Sequence, residues 1–299
     1  LDATGNAKPI AFPIKRIVFA TDFLESSRLA LDYAVGFAYH YGATLIMVHA
    51  MDLSQAAREA EMVSEQPSVS RKLAADRLEA LAAGVRRIGI PVELDLREGE
   101  PCKVVLESAA RNKTDLLVLG THGVHRGLDH LLIGSNTEKI LLSAHCPTLT
   151  VGRYVMGGVD LDIKFKEIFY VSDFTPEAAA AAPYALALAQ EFNAPVEICQ
   201  MIPQIAEDDP ALRRELAEKY CEAIKLVVPG KEREWCTPAF QLERSLAAEQ
   251  VLERANADPA ALIVLGVRTE SHLGRHLHTS FAYELLARAT CPLLTIHNR

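Results

Sequence analysis

The sequence predicts two tandem α/β domains, each a doubly wound, five-stranded parallel sheet with helices on both faces. Three observations carry this reading. The chain has 299 residues, and at roughly 100–200 residues per domain that is room for two. A segment KRIVFATDF from Lys15 recurs as KEIFYVSDF from Lys166, an offset of 151 residues. Within each copy, short β-branched runs alternate with helical stretches, the pattern of parallel strands joined by crossovers.

The repeat runs without a gap through Tyr41-Gly42-Ala43 against Phe192-Asn193-Ala194, and on to His49-Ala50 against Gln200-Met201. Further along, DLLVLG (Asp115 to Gly120) matches ALIVLG (Ala261 to Gly266), and HCPTLTV (His145 to Val151) matches TCPLLTI (Thr290 to Ile296). Buried parallel strands all share Val, Ile and Leu. Asp-Phe and Cys-Pro pairs at matched places are not general sheet features, so the match signifies duplication.

In the first copy, Arg16 to Thr21 is an apolar, β-branched run and reads as a strand. Asp22 to Ser27 supplies the Asp and Ser that suit a helix N-cap. Leu29, Leu31, Ala34, Val35 and Ala38 then recur at helical spacing up to Tyr41. Gly42 fits a left-handed C-cap. Thr44 to His49 is the second strand. A polar stretch broken by Pro67 follows, then a helix from about Ser70 to Arg87 that stops at Gly89. Val92 to Leu96 is the third strand, and Pro101 opens a helix over Cys102 to Arg111. Leu116 to Leu119 and Thr148 to Val151 are strands four and five. The second copy repeats the order, with strands near Glu167–Val171, Val196–Gln200, Phe240–Leu242, Leu262–Leu265 and Leu293–Ile296 and an alanine-rich first helix. Domain bounds follow: a flexible leader over 1–13, the first domain over 14–154, a linker over 155–164 containing two glycines, and the second domain over 165–299.

The net charge of −8 argues against nucleic acid, which is bound by clustered positive charge, and against anionic membrane surfaces. No apolar run nears the roughly 20 residues that span a bilayer, and the N-terminus lacks a signal-peptide core, so a cytoplasmic location is expected. The six cysteines form no CxxC pair and read as reduced thiols.

In doubly wound sheets, ligands bind beyond the carboxyl ends of the strands, where strand order reverses. Two elements of the first copy fall there. One is Asp22, directly after strand one. The other is the segment GTHGVHRGLDHLLIGSNTEKIL from Gly120. Its glycines at 120, 123, 127 and 134 let backbone amides approach a ligand closely. Ser135 begins a helix, whose free N–H groups and dipole favour phosphate, and Arg126 adds charge. Neither the Walker A nor the dinucleotide glycine pattern is present. Ser135-x-x-Glu138 reads equally as a capping box, and Asp22 equally as a helix cap.

The strand-one Asp, the VLGTHG run, the distal Gly-Ser before a helix and the Cys-Pro strand together resemble the universal stress protein family, in tandem over nearly the whole chain. The resemblance implies a Rossmann-like sheet in the order 3-2-1-4-5. It also implies ATP binding through G-x2-G-x9-G-[ST], as in one branch of the family. Carried over, the adenine side is Asp22 and Ala50, with Leu119 and Gly120 nearby. The phosphate side is Gly123, Gly134, Ser135 and Asn136, with Mg²⁺ as an accompanying ion. This chain departs from the pattern by one residue: ten, Val124 to Ile133, separate Gly123 and Gly134. One added residue spans up to about 3.5 Å, enough to displace the amides.

The second copy departs further. Glu270 replaces the second glycine and Thr279 precedes Ser280 where glycine belongs. A carboxylate there repels phosphate, so the second copy is expected to be structural. Fifth strands in the family pair across a two-fold axis. Thr148–Val151 and Leu293–Ile296 are therefore expected to pair within one molecule, a pseudo-dimer open to further dimerisation. His122, His125 and His130, like His272, His276 and His278, lack the companions of a metal site. No GxSxG elbow occurs, and no positioned base is identified, so slow ATP hydrolysis is the most the residues support. The expected function is a stress-related, ATP-binding regulatory protein. The alternatives are a nucleotide-free scaffold acting on an unidentified protein partner, or a slow ATP hydrolase.

Overall fold

The structure is a computed structural model that describes residues 12–51, 67–121, 133–155, 161–172, 176–200, 211, 214–215, 248–267 and 281–297. The chain divides into two compact units. One is Pro13–Ile163; the other is Lys164–Arg299 together with Leu1–Phe12.

The first unit alternates strand and helix: β1 (Arg16–Ala20), α1 (Glu25–Tyr41), β2 (Thr44–Met51), α2 (Pro67–Arg86), β3 (Val92–Glu98), α3 (Pro101–Arg111), β4 (Leu116–Gly120), α4 (Ser135–Ser143) and β5 (Thr148–Val151). All neighbouring strands are parallel, in the order β3-β2-β1-β4-β5. The five-stranded 3-2-1-4-5 sheet expected from the resemblance is therefore present. Strand order reverses between β1 and β4, which opens the crevice at their carboxyl ends.

Side-chain alternation covers both faces of the sheet. Val18, Ile46, Val48, Leu117 and Leu119 form one buried cluster with Cys102, Val104 and Val105 of α3 and Ile140 of α4. Ile17, Phe19, Leu45, Met47, Leu116 and Val118 point to the other face and are buried as well. There α1 packs on β1 and β4, and α2 on β2 and β3. Gly42 ends α1 at φ 63°, ψ 32°. Its N–H donates to the Tyr39 carbonyl and that of Ala43 to the Ala38 carbonyl, a Schellman closure for which glycine is suited. Pro101 sits in the first turn of α3, where its missing N–H costs nothing.

Two local readings change. The helix expected from about Ser70 starts at Pro67, because proline suits a first helical turn better than it breaks one. The N-cap of α1 is Leu24, with no side-chain cap. Asp22 instead closes a turn two residues earlier, its Oδ1 accepting the Leu24 N–H at 3.0 Å.

The second unit contains β6 (Glu167–Ser172), α5 (Pro176–Phe192), β7 (Val196–Gln200), α6 (Ala248–Ala255), β8 (Ala261–Val267), α7 (Phe281–Arg288) and β9 (Leu293–His297). Its described strands are parallel in the order β7-β6-β8-β9, matching strands 2-1-4-5 of the first unit. The strand expected near Phe240–Leu242 lies outside the described residues, as does the expected leader up to residue 11. β7 differs chemically from β2. Glu197 is buried there, where the repeat offset places Ile46 in the first copy. Arg254 of α6 meets it at 2.5 Å, and the Cys199 thiol donates to it at 3.6 Å.

Candidate functional site

At the carboxyl edge of the first sheet, the chain leaves β1 through Thr21, Asp22 and Phe23. Hydrogen bonds within the turn and from β2 fix it. The Phe23 N–H donates to Thr21 Oγ1 at 3.0 Å, and the Leu24 N–H to Asp22 Oδ1 at 3.0 Å. Ser27 Oγ donates to the Leu24 carbonyl at 2.9 Å and lies 3.1 Å from Thr21 Oγ1. His49 Nδ1, from the end of β2, meets the Thr21 carbonyl at 2.7 Å. A carbonyl only accepts, so Nδ1 carries the proton, and a neutral ring leaves Nε2 as an acceptor. The turn holds Phe23 at φ 63°, a left-handed conformation that is unfavourable for a bulky residue. Its ring lies over the His49 ring, centroids 4.3 Å apart, and the Arg77 guanidinium of α2 stands 5.9 Å from the Phe23 centroid. Asp22 itself is exposed, and among the described residues its second carboxylate oxygen makes no hydrogen bond.

Across the crevice, β4 ends at Gly120. The Thr121 N–H donates to the Val151 carbonyl at 3.1 Å, and the Gly134 N–H to the Thr121 carbonyl at 2.7 Å. Thr137 Oγ1, in the first turn of α4, donates to the Gly120 carbonyl at 3.0 Å. These bonds seat the start of α4 against the end of β4. Gly134 is the N-cap, with φ −60° and ψ 137°, and among the described residues no side chain caps the helix. The capping-box alternative for Ser135 is therefore not realised: Ser135 is the first helical residue, exposed beside Asn136. With the Gly134 amide already spent, the amides of Ser135, Asn136 and Thr137 are the donors of this terminus that have no partner inside the helix.

The residues singled out from sequence thus fall into three groups. Asp22, Ala50, Gly120, Gly134, Ser135 and Asn136 lie at strand ends or at the start of α4. The Leu119 side chain is buried in the core cluster, and Ala50 packs against that cluster; of Leu119, only backbone can face the crevice. Gly123, Arg126, the loop histidines and the whole segment 268–280 lie outside the described residues. Gly120 has a different reason to be glycine than the one expected. A Cβ there would come within 2.8 Å of the Ser26 carbonyl carbon and oxygen and 3.0 Å of the Ser27 nitrogen. The close approach is by the backbone of α1.

Sequence reasoning passed over Thr21, Phe23, Ser27, His49 and Arg77. The one signal available was position: His49 is the first polar residue at the end of an otherwise apolar strand. Burial is the main cause that lowers its pKa. The Thr21 carbonyl and Asp22 oppose this, and Arg77 adds to it. On the flank, Lys139 of α4 pairs with Glu100 at the head of α3 at 3.0 Å, which lowers the Glu100 pKa and raises that of Lys139. Burial raises the pKa of the Cys102 thiol, which favours its protonated form. Cys291 is pushed up to about 12, again by burial.

The carboxyl ends of β1 and β4, where strand order reverses, thus carry an acidic turn at Asp22 and, at the start of α4, a helix N-terminus whose N-cap residue makes no side-chain cap. A sequence model of the universal stress protein family matches residues 13–152 and again residues 164–297. The chain belongs to the universal stress protein family, as a tandem two-domain member. Among its relatives, a universal stress protein of Methanocaldococcus jannaschii, MJ0531, is 30% identical over 46% of this chain and 82% of its own length. One from Thermus aquaticus is 31% identical over 46% of this chain and 98% of its own. The solved universal stress protein of Archaeoglobus fulgidus shares the fold across both copies, with a TM-score of 0.61 and 16% identity, covering 94% of this chain and 98% of that one. No helix among the described residues is long and apolar enough to cross a membrane.

Proposed function

We propose that the protein is an ATP-binding regulatory member of its family, with the first unit as the binding module and the second mainly structural. The observation that carries this is the start of α4. Among the described residues no side chain caps its first-turn amides at Ser135, Asn136 and Thr137, and the helix follows β4, the strand beside the one that leads to Asp22. Amides in that setting, with the helix dipole behind them, suit a phosphate chain. The second carboxylate oxygen of Asp22, which makes no hydrogen bond among the described residues, suits an amino donor such as the exocyclic amine of adenine. The side chains of Ser135 and Asn136 would hold phosphate or ribose oxygens, and a bound Mg²⁺ would neutralise phosphate charge. Regulation, rather than turnover, is the role assigned, because among the described residues no base stands at the phosphate side.

The test is direct. Mass spectrometry of ligand released from freshly purified protein, followed by calorimetry with Mg·ATP, is expected to find an adenine nucleotide. Gly134→Asp places a carboxylate at the N-cap, where it takes the same amides and repels phosphate. Binding is expected to fall at least a hundredfold in this variant, with an unchanged circular dichroism spectrum. No binding by the wild-type protein at millimolar Mg·ATP would overturn the reading in favour of a nucleotide-free scaffold. Multiple-turnover phosphate release would move it to a hydrolase.

A further inference from the structure

Asp22 stands two residues beyond β1, in a turn that hydrogen bonds tie both to itself and to β2. Two groups of β2 reach Thr21, the residue before it: the Val48 carbonyl, which accepts the Thr21 N–H at 2.9 Å, and the His49 side chain. The Nδ1–H of His49 donates to the Thr21 carbonyl at 2.7 Å, joining the ends of β1 and β2 one residue before the acidic side chain. The Phe23 ring, carried at φ 63°, covers the imidazole at 4.3 Å. The same turn takes the Phe23 N–H onto Thr21 Oγ1 and the Leu24 N–H onto Asp22 Oδ1. One carboxylate oxygen is thus committed to the turn, and the other makes no hydrogen bond among the described residues. The Thr21 carbonyl thus joins this turn to a side chain 28 residues away in sequence.

We propose that His49 is a positioning residue that sets the base selectivity of the site, by holding the Thr21–Leu24 turn so that Asp22 accepts from an amino-bearing purine edge and rejects a carbonyl-bearing one. The inference rests on the adenine reading above. A carboxylate oxygen fixed in place attracts an N–H₂ group and repels a carbonyl oxygen, and an unpaired polar group costs more than a good pair gains. Free to swing, the same carboxylate discriminates less. The groups facing His49 are the Thr21 carbonyl and Asp22 from the β1–α1 turn and Arg77 from α2. Asp22 and Arg77 bear opposite charges, and the neutral ring suffices for the clamp.

The experiment compares His49→Phe, which keeps a ring against Phe23 but removes the donor, with His49→Asn, whose side-chain amide N–H replaces Nδ1–H. Affinities for ATP, GTP and inorganic tripolyphosphate are measured on the full chain, with hydrogen exchange at the Phe23 and Leu24 amides. His49→Phe is expected to lower the ATP-to-GTP preference about tenfold, the size of one lost hydrogen bond, and to leave tripolyphosphate affinity unchanged. It should speed exchange at the two amides by a similar factor. His49→Asn is expected to restore both. An unchanged preference in a folded His49→Phe overturns the inference alone, as does failure of His49→Asn to restore it. Loss of tripolyphosphate affinity in step with ATP would mark a general folding role and overturn it too. Absence of any nucleotide binding by the wild-type protein overturns the adenine reading, and this inference with it.

Discussion

Gly120→Ala is the most informative single change, because the structure gives it a cost and a direction. The added Cβ would lie 2.8 Å from the Ser26 carbonyl carbon and oxygen and 3.0 Å from the Ser27 nitrogen, where ordinary contact begins at 3.4 Å. The obstruction is backbone, so no side-chain rotation relieves it. The first turn of α1 must move by roughly half an ångström, against a core that resists such shifts at about 1–3 kcal/mol. For a unit of this size, that lowers the melting temperature by about 2–12 °C. Gly84 of α2 supplies the control. Only the tip of Arg87, at 3.9 Å, would touch a Cβ there, so Gly84→Ala should gain about 0.5–1 kcal/mol from helix propensity. Calorimetric melting of the two variants should move in opposite directions. The displaced turn carries Ser27, which touches Thr21, so Gly120→Ala should also weaken nucleotide binding, in proportion to the loss of stability. A variant that melts with the wild-type protein refutes the packing argument. One that melts normally yet binds nothing would show that the ligand, and not α1, requires the glycine.

Two further outcomes follow from buried charge. Arg254→Met strands the Glu197 carboxylate, whose side chain is only 6% exposed, and should cost about 3 kcal/mol in urea unfolding at neutral pH. Adding Glu197→Ile, the residue type of the matching position in the first copy, should return stability to within about 1 kcal/mol of the wild-type protein. A double variant no better than the single one would sink this reading. His49 makes the first unit sensitive to mild acid. Its folded pKa is depressed, so above about 6.5 the ring is neutral in both states and costs nothing. As pH falls below that value, the unfolded chain takes the proton first, and stability declines until the folded ring titrates. The difference in unfolding free energy between wild-type and His49→Phe protein should therefore change between pH 6.5 and the folded pKa and level off below it; a flat difference would contradict the burial argument.

Much of the architecture was legible along the chain because its signals are local or periodic. Apolar runs gave the strands, and the 151-residue offset gave the duplication. Gly42 and Pro101 marked a helix end and a helix start, because left-handed φ and a missing N–H act within a few residues. The helix start at Ser135 was visible too, though not that Gly134 caps it and that its own amide is spent on Thr121. What the sequence could not disclose were contacts whose partners are far apart along the chain. Gly120 is confined by α1, whose first turn lies more than ninety residues earlier. His49 acts on Thr21 across adjacent strands, and β1–β2 register decides which carbonyl it meets. A periodic pattern specifies which face a residue occupies. Which groups meet at the end of a sheet depends on strand order and register, and these are set only when the whole sheet packs.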